Sequence, residues 1–345
     1  VKVLIAGGAG FIGSTVASRL VDEGHEVVVL DSLVTGRREF AAGRVFYEGD
    51  IADGALVDRV FAEHPDVAAV VHCAALIVVP DSVADPLGYY RANVAKGIAF
   101  LGHLERNGCT RLLFSSSASL YRAGGDLIGD HTGDFAGDFA VDEDSPTAPL
   151  SPYARTKEVF ELVLRDVAAA GGLRVVSLRY FNPIGADPRL RSGLQVRRPT
   201  HALGRMIDCH HGGEAFTLTG TGYATRDGSG IRDYVHVWDL ADAHVRALLD
   251  FDAVAQAGDG GYQVINLGTG TGTTVRELVA AFGAVTGREL EVVETAPRPG
   301  DAAGAYTRST RAAALLGWKP EHTLEDGIRD SLRWHAVRED VLGAG

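Results

Sequence analysis

Val3-Leu4-Ile5-Ala6-Gly7-Gly8-Ala9-Gly10-Phe11-Ile12-Gly13-Ser14 is the stretch that decides how this chain is read. A short apolar run closes on glycines and gives way to a helical pattern from about Ile12 to Glu23, so strand, turn and helix follow one another. Gly7, Gly10 and Gly13 fall in GxxGxxG spacing, which lets backbone approach a pyrophosphate set at a helix N-terminus. Asp31 ends the next apolar run, 18 residues after Gly13, where a carboxylate accepts hydrogen bonds from a ribose diol. NAD is expected over NADP, because Asp31 would repel a 2'-phosphate; Arg37 and Arg38 are the nearby cations that keep the second cofactor open. Glycines used only for strand–helix packing are the plainer alternative.

Outward from that turn, strands are expected at Val27–Leu30, Val45–Tyr47, Ala68–His72, Leu112–Ser115 and Arg174–Leu178, with helices near 53–63, 89–107 and 153–169. This alternation predicts an α/β fold of Rossmann type, a doubly wound parallel sheet, with a smaller C-terminal substrate-binding lobe. The nucleotide-binding domain is placed at 1–181 and the lobe mainly at 182–345, with a segment of about 233–270 packing back on the first domain. Helical patterns recur at 236–250, 273–286 and 324–337. A Gly-Asp repeat over 123–144 reads as an acidic surface loop or lid, since a calcium loop needs closer oxygen spacing and a closing glutamate.

The 345 residues suffice for one large α/β unit or two smaller domains. With 33 basic and 45 acidic residues the net charge is −12 and no basic run offsets it, which argues against nucleic acid as a partner. An anionic ligand must then be met by local arginines and helix N-termini. Cys73, Cys109 and Cys209 are odd in number and never in CxxC spacing, so they read as reduced thiols with no metal site. The apolar run from Val67 to Pro80 is too short to span a bilayer, and a cytoplasmic protein is expected.

Tyr153 and Lys157 stand four apart on a predicted helix, so both side chains project from one face. A phenol is a poor base at neutral pH, but a neighbouring ammonium and a cationic nicotinamide favour its phenolate, making Tyr153 a proton carrier. Ser115-Ser116-Ser117 ends a strand at the carboxyl edge, where ligands of such sheets bind. A buried tyrosine beside a surface lysine is the alternative.

The glycine turn, the serine triplet, Ser151-Pro152-Tyr153 with Lys157, Arg179-Tyr180-Phe181-Asn182-Pro183 and Gly230-Ile231-Arg232-Asp233-Tyr234-Val235-His236-Val237 together resemble the extended short-chain dehydrogenases, specifically the UDP-hexose 4-epimerases. The likeness covers nearly the whole chain, and the last two motifs are the most specific. It implies that Tyr153 takes the 4-hydroxyl proton, with Ser117 bridging and Lys157 holding the nicotinamide ribose, while hydride leaves sugar carbon 4 for NAD and returns to the other face. It further implies cofactor contacts from Gly7, Gly10, Phe11, Ile12, Gly13, Asp31, Ser32, Asp50, Ile51, Ala74, Ala75, Asn93, Ser115, Tyr153, Lys157 and Tyr180. Contacts to the UDP-sugar are implied for Ser117, Tyr153, Tyr180, Asn182, His201, Arg232, Arg298, Asp301 and Ala305. The arginines have a direct warrant, since a diphosphate needs guanidinium partners. A homodimer built from the helices near 89–107 and 153–169 is also implied.

Departures from the family pattern bear on the sugar. Ala305 stands where room around the sugar's 2-substituent is set, Thr200-His201 replaces paired asparagines, and Ile77 replaces a lysine. Arg189, Arg191, Arg197 and Arg198 lie in the loop 183–199 that, by the likeness, borders the sugar. The expected substrate is therefore UDP-glucuronic acid, inverted to UDP-galacturonic acid, with Arg191 as carboxylate partner; solvated surface charges are the alternative. Within the family the chain looks most like the UDP-glucuronate 4-epimerase type of moenomycin biosynthesis, an antibiotic pathway. Ser119 occupies the place where related dehydratases and decarboxylases carry an acid, which favours epimerisation. Ala305 points as readily to UDP-glucose or UDP-N-acetylglucosamine, and a nucleotide-sensing protein that lost catalysis is the reading from another class.

Overall fold

The structure, a computed structural model, describes residues 1–121, 139–297 and 302–343. Strand β1 (Lys2–Ala6) is buried from Val3 onward, as befits a strand covered on both faces. The glycine turn leads into α1 (Phe11–Asp22), followed by β2 (Glu26–Asp31), β3 (Val45–Glu48), α2 (Gly54–Glu63) and β4 (Val67–His72). Next, α3 (Val79–Ala84) and α4 (Pro86–Tyr90) run through a π turn at Arg91–Ala95 into α5 (Lys96–Arg106). β5 (Arg111–Ser117) precedes the short β6 (Ala140–Val141). α6 (Pro152–Ala169) starts cleanly because Ser151 accepts a hydrogen bond from Ala154 N at 3.1 Å and Pro152 occupies its first turn. β7 (Arg174–Tyr180) completes this half.

The remainder consists of β8 (Asn182–Ile184), α7 (Ala202–Gly212), β9 (Phe216–Thr219), β10 (Ile231–Arg232), β11 (Tyr234–His236), α8 (Val237–Leu249), α9 (Phe251–Gln256) and β12 (Tyr262–Leu267). It ends with β13 (Thr273–Thr274), α10 (Val275–Thr286), β14 (Val292–Thr295), β15 (Gly304–Thr307), α11 (Arg311–Leu316) and α12 (Leu324–Leu342).

Seven parallel strands form the main sheet in the order β12-β7-β5-β4-β1-β2-β3. Strand order reverses between β1 and β4, and ligands of such sheets bind in the crevice outside the carboxyl ends at that point. Alternation divides the core in two: Val3, Ile5, Val29 and Val71 face α1 and α8, whereas Leu4, Ala6, Val28 and Val70 face α2, α5 and α6. A separate core of Leu203, Met206, Phe282 and Ile328 holds α7, α10 and α12 together in the lobe.

β5 and β7 extend two residues beyond the predicted ends, to Ser117 and Tyr180, because Ser117 still pairs with Tyr180 across the ladder. A serine triplet looks like a turn in isolation; the neighbouring strand supplies the hydrogen bonds that keep it extended. α12 likewise outruns its predicted end, to Leu342. The Gly-Asp repeats themselves, up to residue 138, lie outside the described residues, but the acidic end at 142–144 is anchored rather than free. Asp142 takes Arg308 Nε at 2.9 Å, and Glu143 accepts from Asn266 N at 2.7 Å and Ser309 Oγ at 2.8 Å. Among the described residues no helix is long and apolar enough to cross a membrane.

Candidate active site

The nucleotide turn is built for close approach. Gly7 has φ +81° and lies so near β4 that a Cβ there would sit 2.5 Å from Ala74 N; one on Gly13 would sit 2.3 Å from Gly7 O. Gly10 caps α1 without a side chain, and the first turn carries no acid, so its free N–H groups, those of Phe11 and Ile12 included, suit a pyrophosphate. Asp31 is held by Ala9 N at 2.9 Å and Leu33 N at 2.8 Å, which leaves acceptor capacity for a diol. Burial pushes its carboxyl up while these two N–H groups pull it down. Ser32 beside it is exposed. Arg38 is engaged by Glu48 and lies over Phe46, so it is not a free phosphate partner.

Asp50 binds Lys96 Nζ and accepts from Ala52 N at 2.9 Å; burial opposes its charge, but these partners outweigh it and the carboxyl is lowered. Ile51 is buried next to it. Ala74 and Ala75 follow β4 at the cleft, and the adjoining loop is pinned by Asn93. Its carboxamide accepts from Leu76 N at 2.8 Å and donates to Leu76 O at 2.9 Å and Thr156 Oγ1 at 3.0 Å. Asn93 thus shapes the site through the π turn, its side chain spent within the protein.

The side chains expected to react lie at the end of β5 and the start of α6. Ser117 Oγ accepts from Ser119 N at 3.1 Å, lies 2.9 Å from Ser119 Oγ and neighbours the Tyr153 phenol. Desolvation raises the Tyr153 phenol, and the neighbouring Ser117 hydroxyl works the other way. Lys157 Nζ donates to Ser115 O at 2.7 Å and stands 4.8 Å from the Phe114 ring centre; burial lowers its ammonium to about 8.

Tyr180, expected among the cofactor and sugar contacts, has its hydroxyl bonded within the protein to His244. His244 Nδ1 lies 2.7 Å from Leu240 O, a group that only accepts, so that nitrogen carries the proton. Burial lowers the ring to about 4 and keeps it neutral; Nε2 is therefore an acceptor, and the Tyr180 hydroxyl donates to it. The hydroxyl is thus turned towards α8, and the ring packs beside His244. Sequence reasoning missed His244, whose only signal was a polar residue on the buried face of a helix.

On the lobe side, Arg232 pairs in register with Ala305 across β10 and β15. Its guanidinium donates to Ile231 O and Ala303 O at 2.7 Å and to Ala302 O at 3.2 Å, and no described carboxylate neutralises it. Asp233 next to it is a structural staple, accepting from Thr269 N, Gly270 N and Thr307 N at 2.7, 3.0 and 3.2 Å. Asn182 stands in β8 beside β11. Ala305 packs with Ala118 against Leu120, Tyr121 and Phe181, directly behind the serine turn. Arg298 and Asp301 lie outside the described residues. His201 serves as N-cap of α7, its Nδ1 accepting from Gly204 N at 3.2 Å, and lines a small cavity with Phe11, Leu194 and Trp334.

Arg191 is placed elsewhere than expected. Its guanidinium bonds Asp22 at 2.7 and 2.9 Å and Asp187 at 2.6 and 3.1 Å. Asp22 ends α1, about 16 Å along the helix from the glycine turn. Arg189 joins Asp22 at 3.0 Å, and Arg197 joins Glu339 at 2.6 Å. Local acids, rather than a sugar carboxylate, hold these arginines.

Residues 3–268 match the family model described as the NAD dependent epimerase/dehydratase family. The chain belongs to that family. A UDP-glucose 4-epimerase of Azospirillum brasilense is 41% identical over 99% of this chain and 94% of its own, and one of Bacillus subtilis is 38% identical over 97% and 96%. Among solved structures, the UDP-glucose 4-epimerase of Brucella ovis in complex with NAD is 37% identical, with a TM-score of 0.85 covering 96% of this chain and 97% of that one. Membership together with relatives of this identity, all UDP-glucose 4-epimerases, makes the protein an NAD-dependent isomerase. The turn at Gly7 and Gly13, the uncapped α1 and the diol-ready Asp31 fit that cofactor.

Proposed function

We propose that this protein is a UDP-sugar 4-epimerase whose substrates are UDP-glucose and UDP-galactose. The observation that carries the reading is the cluster of Ser117, Tyr153 and Lys157 at the carboxyl edge of the sheet, together with Arg232, which no described carboxylate neutralises. When bound, NAD supplies a hydride acceptor that hands the same hydride back. Tyr153 takes the proton of the sugar's 4-hydroxyl through Ser117 and returns it after the ring has turned, so no net proton or electron is consumed. Lys157 favours the phenolate against the desolvation that raises Tyr153. Arg232 meets the diphosphate, and Asn182 borders it.

UDP-glucuronate, expected from the loop arginines, loses its carboxylate partner because Arg191 is saturated by Asp22 and Asp187. The relatives named above are UDP-glucose 4-epimerases, which supports the neutral hexose. Ala305 favours a second substrate, UDP-N-acetylglucosamine, since a small side chain behind the serine turn leaves room for a 2-substituent. We also propose a homodimer through α5 and α6, which leave Ile98 and Leu162 exposed.

The test is turnover of UDP-galactose, UDP-N-acetylglucosamine and UDP-glucuronate side by side with NAD supplied. Conversion of UDP-galactose to UDP-glucose is expected, with Tyr153→Phe slower by about 10²–10⁴-fold. Preference for the uronate, or Tyr153→Phe equal to the unaltered protein, overturns the reading.

A further inference from the structure

Three charged side chains lie in the interior behind the serines of β5. Arg179 of β7 and Glu161 of α6 have side chains 6% and 5% exposed, and Lys157 is 4% exposed. Arg179 grips the carboxylate as a fork, Nε donating to Oε1 at 3.0 Å and Nη2 to Oε2 at 2.6 Å. Ser116 Oγ donates to the same Oε1. The remaining end of the guanidinium donates to the Tyr121 hydroxyl at 2.8 Å, which in turn donates to Asn266 Oδ1 at 2.7 Å.

Glu161 follows Lys157 by one helical turn, the i, i+4 spacing at which lysine and glutamate side chains meet on a helix. Yet they form no ion pair: Lys157 donates to the Ser115 carbonyl and has no described carboxylate partner. The other titratable groups around it are His72 at the end of β4, Cys73 just after it, Tyr153 from α6 and Tyr180 from β7; β5 contributes only the Ser115 carbonyl and the Phe114 ring. Burial takes His72 down to about 3, Cys73 up to about 12 and Tyr180 upward, so all three are neutral at pH 7. Among the described residues, Glu161 is thus the negative charge that faces the ammonium.

We propose that Arg179 is a positioning residue for the reaction: by occupying both oxygens of Glu161 it withholds that carboxylate from Lys157 and leaves the ammonium free for the cofactor ribose and Tyr153. An ammonium locked to its own helix would donate into the carboxylate and offer its charge to neither. The proposal rests on the role given to Lys157 above, and it assigns a function to the arginine of the Arg179-Tyr180-Phe181 motif that lies beyond direct contact with substrate.

The titration of Lys157 tests this without any substrate. The chain has four lysines, Lys2, Lys96, Lys157 and Lys319, so lysine-labelled protein gives few NMR signals, and Lys157→Met assigns the one concerned. In Arg179→Met the Lys157 titration is expected to move up by about one unit or more, with the pH limb of kcat moving alongside it. An unmoved Lys157 in folded Arg179→Met overturns the proposal. Should that variant fail to fold, the neutral pair Arg179→Met with Glu161→Gln replaces the ion pair by groups of similar volume. There Lys157 is expected within about half a unit of its original titration; a fall of about one unit or more shows that Glu161 was already its counter-ion and overturns the proposal. Failure of UDP-galactose turnover in the unaltered protein would instead strike the epimerase reading and leave this titration standing.

Discussion

Lys157 holds a charge that the fold would be more stable without. Burial lowers its ammonium from 10.5 to about 8, so between those values the unfolded chain keeps a proton that the folded one has shed. Stability therefore rises with pH across that window, and below about 8 the folded protein bears the full cost of the buried charge. Lys157→Met removes the charge while losing the bond to Ser115 O, a loss of about 1 kcal/mol. Relative to this variant, the unaltered protein is expected to gain melting temperature steadily from pH 8 to 10.5, as differential scanning calorimetry would record; a pH-independent gap would contradict it. Turnover in Lys157→Met should fall by about 10²-fold or more. Tyr153 and Lys157 were legible as a pair because four residues of helix place two side chains on one face whatever surrounds them. The partner of Tyr180 was not, since His244 lies 64 residues away and only packing of α8 on the sheet brings it near.

At the scale of elements, α1 and its glycine turn could be read directly, whereas the tether of α12 could not. Asp239 in α8 accepts from Glu321 N and His322 N at 3.0 Å and from His322 Nδ1 at 2.7 Å, and Trp318 Nε1 donates to Asp239 O at 2.8 Å. This strap carries the chain from α11 to α12. The hydrogen bond to Asp239 raises the His322 imidazole above 6.5 against the effect of burial. Its contribution is hence fully present below pH 6.5 and disappears as pH rises through the raised folded value. His322→Gln is expected to lose stability chiefly at the acid end, so that its deficit against the unaltered protein shrinks from pH 6 towards 8 in thermal melts. A deficit that grows over that range would show that Asp239 and His322 do not titrate as a pair.

For the whole molecule, the proposed pairing makes a separate demand. Ile98 of α5 is 46% exposed and Leu162 of α6 52%, an outlay of apolar surface that association would cover. Ile98→Glu combined with Leu162→Glu is expected to sediment as a monomer with unchanged circular dichroism, while the unaltered protein sediments as a dimer; equal sedimentation of both removes these helices from any interface. The sequence by itself determined the strand–turn–helix opening, the parallel α/β alternation, the acid at the end of the second strand, Asp31, and the Tyr153–Lys157 pair, because side-chain period and glycine conformation are local properties of the backbone. Only the tertiary structure decided which acid each arginine serves: Arg191 goes to Asp22, 169 residues away, and Arg179 to Glu161. A charge is claimed by whichever opposite charge the fold brings within a few ångströms, and no spacing along the chain encodes that distance.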